Sequence, residues 1–218
     1  MLEKLIDKFD GFEIIRDQIA AIIKTESVNQ EALAVAAGKD PELWKLRVFT
    51  ERSNPWEEWL NNVTDKSPII NVWFDNSNFN RAAGNVVERQ TSDTIYNIDC
   101  LGLGVSKDDG GGHIPGDREA IFVVQRAIRL VRNILMAAEN TYLQLRGTVG
   151  SRWPQSIVAF QPELNGRQGQ QVAGARIRLE VAFNEFSPQF EGAPFESILA
   201  TVKQTDSGEI LMEAEYDF

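Results

Sequence analysis

Four carboxylates near a glycine-rich stretch are the first residues of this chain that could do chemistry. Asp108, Asp109, Asp117 and Glu119 offer the oxygen ligands that Ca²⁺ and Mg²⁺ prefer, and a metal-dependent hydrolase could use such a group. Their spacing does not match a calcium-binding loop. Asp117 and Glu119 also suit the start of a helix, where negative charge is favoured. We interpret the four as a solvated acidic loop and a helix start, and keep the hydrolase as an alternative from a different functional class.

The same stretch invites comparison with nucleotide-binding loops. Gly102-Leu103-Gly104 follows a predicted strand, and three glycines stand at 110–112. The dinucleotide fingerprint needs a third glycine at a fixed offset that directly opens a helix. Here Lys107-Asp108-Asp109 intervenes and places carboxylates where phosphates would lie, and the Gly-Lys-Ser/Thr phosphate loop is missing. The composition therefore predicts a flexible loop over 106–116 and no nucleotide site.

The chain has one histidine, His113, and one cysteine, Cys100. A serine-histidine-aspartate triad would have to use His113, which stands in a glycine- and proline-rich loop that orients a side chain poorly. One cysteine and one histidine cannot complete a zinc site. A single cysteine also excludes an intrachain disulfide and fits a reducing compartment. The sequence therefore predicts no catalytic residues, no cofactor and no metal, and we expect a protein that is not an enzyme.

Composition and charge set the broad class. The chain is 43% hydrophobic and 25% charged, which is enough apolar material for a globular core. Its 32 acidic and 22 basic residues give a net charge of −10, so it has no long-range attraction for nucleic acid. No apolar run approaches the ~20 residues that cross a bilayer, and charged residues interrupt the first ten positions. We expect a protein that stays in the compartment where it is made.

Apolar residues at three- and four-residue spacing predict the helices. N-terminal helices are expected within residues 1–42, with a break near Gly11 and a second helix that begins at Ser27. The strongest helix is predicted over about 117–146. Its apolar stripe consists of Ile121, Val124, Ile128, Val131, Leu135, Ala138 and Tyr142. Its opposite side carries Arg118, Arg126, Arg129 and Arg132.

Strands are predicted from period-two alternation and from β-branched or aromatic content. The predicted strands are 43–49, 69–74, 94–101, 153–160, 173–186, and a hairpin or arm made by 198–202 and 209–213. The stretch 75–92 is compatible with a strand or a loop, and 165–170 reads as a mobile loop. Together these elements predict an α+β fold, with a mainly antiparallel sheet packed by one long helix. We divide the chain into an N-terminal helical segment (1–42), a core domain (43–190) and a C-terminal hairpin or arm (191–218).

Two groups of residues are candidates for a subunit interface. Arg126, Arg129 and Arg132 form an outward basic face for which the predicted helix offers no partner. Trp56 and Trp59 stand three apart on a predicted short helix over 55–60, and tryptophan is over-represented among interface hot spots. Tryptophan is also a common core residue, so packing within the subunit is the alternative for both rings.

The order of elements resembles the tail terminator, or tail completion, proteins of long-tailed bacteriophages. Four segments carry the likeness: Pro68–Phe74, Tyr96–Gly102, Ala127–Leu135 and Ala175–Phe183. The resemblance covers roughly residues 43–186, and the additional ends are similar to those of larger members from contractile-tailed phages.

The resemblance implies a structural virion protein of the tail and neck that is assembled in the host cytoplasm. Such proteins form a homohexameric ring that caps the tail tube, ends its polymerisation and provides the joining surface for the head. The implied partners are further copies of the chain, tube and sheath proteins and neck or connector proteins, with no membrane. DNA would pass through the acidic ring without specific binding. Another neck component, a head–tail connector or a head completion protein, is the nearest alternative.

Overall fold

The computed structural model of the chain describes Asp7 and residues 9–61, 65–80, 89–109, 112–162, 170–186, 197–203 and 210–217. The chain forms two compact units, residues 1–186 and residues 187–218. The predicted helical positions before Asp7, and the predicted loop at 165–170 apart from Gln170, lie outside the described residues.

Three helices and nine strands make up the described fold. In chain order they are α1 (Gly11–Ala36), β1 (Arg47–Thr50), α2 (Glu58–Asn61), β2 (Ile69–Asn80), β3 (Arg89–Val105), β4 (Lys107–Asp109), β5 (Gly112–Ile114), α3 (Gly116–Met136), β6 (Val149–Phe160), β7 (Gln170–Phe186), β8 (Ser197–Lys203) and β9 (Ile210–Asp217). Short 3₁₀ turns occur at Pro41–Leu43, Pro55–Glu57 and Ala138–Asn140. The strand predicted over 43–49 is therefore later and shorter, because Asp40-Pro41 starts a 3₁₀ turn first.

Five strands form the main sheet, in the order β1-β2-β3-β7-β6. β1 pairs with β2 in parallel, whereas β2–β3, β3–β7 and β7–β6 pair antiparallel. The α+β class is confirmed, but the main sheet is mixed, because its β1–β2 pair is parallel where a mainly antiparallel sheet was expected. The difference arises because the segment after α1 joins the sheet edge parallel to β2, which a hydrophobic pattern alone does not reveal.

One face of the sheet is covered by α1 and α3, and we call it the helix face. Alternate residues of β2, β3 and β7 point into this core, with their partners in register across the strands. The buried side chains include Val72, Tyr96, Ile98, Ile177 and Leu179 from the sheet and Ile15, Ile19, Ile23, Val131 and Leu135 from the helices. The Tyr96 hydroxyl donates a 2.9 Å hydrogen bond to the Phe12 carbonyl, which ties the start of α1 to the sheet centre.

Residues Gly11–Ala36 form one helix, whereas a second helix was predicted to begin at Ser27. Ser27 is buried in the middle of α1, where its hydroxyl donates to the Trp44 carbonyl (2.8 Å) and accepts from the Leu46 amide (3.1 Å). The serine therefore fixes the segment that leads into β1 and does not cap a helix. Gly11 stands at the helix start, where a Cβ would lie 2.5 Å from the Phe183 ring.

Helix α3 ends at Met136, ten residues before the predicted end at 146. Ala137 adopts an extended conformation (ψ 145°), which stops the helix. Asn140 then donates its side-chain amide to the Ile134 carbonyl at 2.8 Å, so a terminal carbonyl of the helix is satisfied from the following turn.

The buried side of α3 is also rotated from the predicted stripe. Ile121 is 39% exposed, although it belonged to that stripe, and Tyr142 of the stripe lies beyond the end of the helix. The buried residues are Gly116, Ala120, Val124, Ala127, Val131, Ile134 and Leu135. Small residues face the sheet because α3 lies very close to β3, where Gly102 and Gly104 leave room for its backbone.

The stretch predicted as a loop over 106–116 contains a small hairpin in its described part. β4 pairs antiparallel with β5, with Asp108 opposite His113. The amide of Gly116, the first residue of α3, donates a hydrogen bond to the Ser106 hydroxyl at 3.0 Å. Backbone pairing of this kind has no hydrophobic signature, which is why a loop was predicted.

In the second unit, β8 and β9 pair antiparallel as the C-terminal hairpin. The register aligns three apolar residues of each strand: Ile198 with Tyr216, Ala200 with Ala214, and Val202 with Met212. A two-stranded hairpin is at best marginally stable alone in water.

We expect the close approach of α3 and β3 to tolerate no side chain at Gly104. A Cβ at this position would lie 1.9 Å from the Gly116 carbonyl oxygen and 2.6 Å from the Ala120 nitrogen, which are backbone atoms. Gly104→Ala should lower the free energy of unfolding by about 3 kcal/mol or more, measured by urea denaturation. Gly150→Ala is the matched control, because its nearest neighbour would be 3.5 Å away, and equal midpoints for both variants would contradict this packing.

Candidate interaction surfaces

The face of the main sheet opposite the helices is called the open face, and residues 49–61 cover the part of it where β2 begins and β3 ends. Trp59 packs there against Ile69, Leu101 and Val172 and is only 1% exposed. Its ring is therefore not available to a partner subunit. Trp56 is half-buried against the same cluster. Trp59 thus serves packing within the subunit, whereas Trp56 remains partly exposed.

A buried amide holds this covering segment in place. Asn71 donates its side-chain Nδ2 to the Arg52 carbonyl at 2.8 Å, and its Oδ1 accepts from the Arg52 amide at 3.1 Å. Asn71 thus imitates the backbone of a neighbouring strand. The chain after β1 is thereby directed across the open face, where Trp59 covers the sheet.

Beyond that cover, the open face carries an ion pair enclosed by aromatic rings. Asp99 on β3 accepts from Arg176 Nε at 2.6 Å and from the Trp73 indole nitrogen at 3.0 Å. The Arg176 guanidinium lies over the Trp73 ring, 4.6 Å from its centroid, and 5.4 Å from the Phe160 centroid. Four strands therefore contribute to one cluster, since Trp73 belongs to β2, Arg176 to β7 and Phe160 to β6.

The electrostatics of this cluster favour the charged form of Arg176. The Asp99 hydrogen bond raises the pKa of Arg176, and partial burial opposes that effect. A second pair, Arg178 with Asp75 at 3.2 Å, lies at the rim of the open face. Asn97 Oδ1 and Arg178 Nε are shielded from solvent and have no hydrogen-bond partner within the described part of the chain. The arrangement resembles the centre of an interface, where arginine and tryptophan are enriched, more than a catalytic array.

Sequence reasoning did not identify this cluster. Trp73, Asp99 and Arg176 are far apart in the chain and meet only through the register of β2, β3 and β7. The only signal available was a charged or aromatic residue at alternating positions of three predicted strands.

The predicted basic face of α3 divides into two parts. Arg126 is half-buried over the Trp44 ring at 4.9 Å, and burial and then the Arg129 charge lower its pKa. It also lines a cavity of about 500 Å³ beside Leu43, Lys66 and other residues. Arg126 therefore mainly serves packing within the subunit.

Arg129 and Arg132 are exposed, as predicted, and have no ion-pair partner among the residues that the structure describes. Arg118 is exposed too, and its guanidinium lies 5.7 Å from the Phe122 centroid. These three cations, unlike Arg126, are accessible to another chain.

Strand β6 is an edge of the main sheet and exposes apolar side chains. Trp153, Ile157 and Val158 are 67%, 49% and 54% exposed. Pro154, which cannot donate to a ladder, and pairing irregularities at Val149/Ser151 and Pro154/Ser156 occur in its first half. From Ser156 to Phe160 the strand pairs regularly with β7, and no other strand among the described residues pairs with its opposite edge.

The acidic residues near the glycine-rich stretch are engaged separately. Asp108 pairs with the His113 ring at 2.8 Å on the small hairpin. Glu119 accepts from the Val105 amide and from Lys107 Nζ, both at 3.0 Å, and the Val105 bond holds the pKa of Glu119 below its usual range. Within the described ranges, no three His, Cys, Asp or Glu side chains lie together as a potential metal site.

No protein-family model matches this chain, and no curated protein matches it. Among the described residues, none of the helices combines the length and the apolar character needed to span a membrane. The likeness to tail terminators therefore rests on the sequence pattern.

We expect the Asp99 cluster to stabilise the sheet and the rim pair to contribute little. Asp99→Ala removes a carboxylate that is 8% exposed and leaves the Arg176 and Trp73 donors unpaired, so unfolding free energy should fall by about 1–3 kcal/mol. Asp75→Ala, which breaks the more exposed pair with Arg178, should cost under about 1 kcal/mol. Urea unfolding of both variants measures the difference, and an equal loss would contradict the cluster's role.

Proposed function

We propose that this chain is a tail terminator that forms a ring on the end of a phage tail tube, ends tube polymerisation and provides the joining surface for the head and neck. One observation carries the proposal: the sheet edge β6 exposes apolar residues, and helix α3 of the same unit exposes Arg129 and Arg132. An edge of this kind favours pairing with another chain. Closed rings of identical subunits cover such an edge in every copy.

Charge supports the same role. Residues 187–218 contain seven acidic residues and one lysine, so six of the ten net negative charges belong to the C-terminal unit. An acidic segment and an exposed pair of arginines on one chain can attract each other between neighbouring copies. The net charge of −10 also disfavours adhesion of DNA that passes through the ring.

The hexameric state, the tail and neck location and the tube, sheath and connector partners follow from the resemblance and belong to this proposal. Loss of the gene from the phage that carries it distinguishes the proposal from its nearest alternative. A missing terminator should give over-long tails in electron micrographs of the lysate. Tails of normal length that do not join heads would assign the chain to the connector or head completion class and contradict the terminator role.

We expect the exposed arginines to matter for assembly and not for folding. Arg129→Glu with Arg132→Glu should leave the circular dichroism spectrum and the melting temperature nearly unchanged, because both side chains are exposed. The same variant should shift the molar mass found by light scattering towards the monomer, since it places acidic groups where acidic neighbours are expected.

Leu135→Asp is the contrasting variant. Leu135 is 2% exposed in the core between α3 and the sheet, so an unpaired carboxylate there should prevent folding. If the arginine variant unfolds as readily as Leu135→Asp, the α3 cations are structural and the assembly role assigned to them is wrong.

A further inference from the structure

Strand β6 lies near helix α3 at both ends of the strand, on one flank of the subunit. At the start of β6, Arg152 donates to the carbonyls of Leu135 and Ala137 at the end of α3, at 2.5 Å and 2.9 Å. At the other end, Ala159 and Phe160 of β6 share a groove with the first turns of α3. The two ends of β6 therefore lie beside opposite ends of α3, so the strand and the helix are antiparallel.

The surface between β6 and α3 is apolar, with arginine side chains of α3 spaced along it. The groove at its end has a volume of about 520 Å³ and is lined by Asp117, Arg118, Ile121, Ala159, Phe160, Gln161, Gln171, Val172 and Ala173. Helical periodicity places Ile128 and Arg132 on the same side of α3 as Ile121, two and three turns further along. A strand laid against β6 would therefore meet Arg118 at one end of the flank and Arg132 at the other.

The second unit of this chain has the complementary chemistry. In β9, Met212, Ala214 and Tyr216 alternate with Glu213, Glu215 and Asp217. A strand with that alternation can turn its carboxylates towards the α3 cations and its apolar residues away from them. Beside Trp153 and Val158, exposed apolar side chains of β6, those apolar residues would lose contact with water. The β8–β9 hairpin also needs a further strand for stability.

We propose that the open edge of β6 from Ser156 to Phe160 accepts strand β9 of a second copy of this chain, with the β9 carboxylates directed at Arg118 and Arg132. This inference rests on the proposed ring and names the contact between its subunits. Strand addition supplies backbone hydrogen bonds, and the matched charges set which face of β9 is turned towards α3.

Selective cross-linking tests the contact in the full-length protein. One preparation carries Val158→Cys, and a second preparation with a different tag carries Ala214→Cys. The natural cysteine does not interfere, because Cys100 is fully buried and burial raises the pKa of its thiol. The two preparations are mixed at about 1 mM, a concentration that populates even weak specific complexes. A short bismaleimide is then added, which tolerates small differences in register.

The expected result is a mixed-tag cross-linked dimer, at a yield on the order of tenfold above that obtained when Val28→Cys replaces Val158→Cys. Val28 is a fair control because it is 62% exposed on α1, away from the sheet edge. Adding Ile157→Glu to the Val158→Cys chain should lower the mixed-tag yield, because Ile157 pairs with Ile177 on the helix side and an acidic group there would repel the β9 carboxylates.

Three outcomes would overturn the inference. A mixed-tag yield equal to the Val28→Cys control means that β9 does not lie on this edge. A yield that Ile157→Glu leaves unchanged means that the cross-link does not depend on the proposed strand pairing. If a single chain that carries both Val158→Cys and Ala214→Cys forms only intramolecular cross-links, then β9 pairs with the β6 edge of its own chain. The mass of the natural chain by light scattering tests the ring separately, so a ring without this cross-link leaves the proposed function standing and removes only the contact.

Discussion

The structure depends on the pairing of β3 with β7, two strands of 17 residues that are antiparallel in continuous register from Arg89 to Val105. This ladder decides which alternate residues enter the helix face and which reach the open face. A slip of one residue would move Ile98 and Ile177 out of the core and bring Asp99 and Arg176 into it. The apolar helix face and the ion pair of the open face are therefore two results of one register.

Two glycines of β3 determine how closely helix α3 packs on the sheet. Gly102 and Gly104 let the α3 backbone approach the sheet, so the helix needs only small residues such as Ala120 and Ala127 on its inner side. The larger apolar residues of α3 are then left at its flanks. Ile121 is one of them, and its exposure beside β6 follows from how closely the helix is seated. Tight packing at the centre thus creates an apolar surface at the rim.

The sequence predicts the parts of this fold that carry a local period. The alternation over residues 94–101 and 175–183 predicts β3 and β7, and the 3.6-residue period predicts the body of α3. The end of α3 could not be predicted from local sequence. Ala137 adopts an extended conformation that ends the helix, and its carbonyl accepts a hydrogen bond from Arg152, which is distant in sequence. The contacts of Ser27 could not be predicted for a similar reason. In the sequence alone, a buried serine that hydrogen-bonds the backbone of residues 44–46 cannot be told from a serine that caps a helix. The open-face cluster requires strand register, which no single segment encodes.

Pro154 and the neighbouring pairing irregularities in β6 have a consequence for the subunit before it meets any partner. A long regular edge invites stacking of many chains into fibrils, and such growth needs an uninterrupted row of donors and acceptors. In β6 that row extends only from Ser156 to Phe160. Five residues suffice to hold one short strand but give a poor template for repeated stacking. The same strand can therefore pair with one defined segment without promoting aggregation of the protein at high concentration.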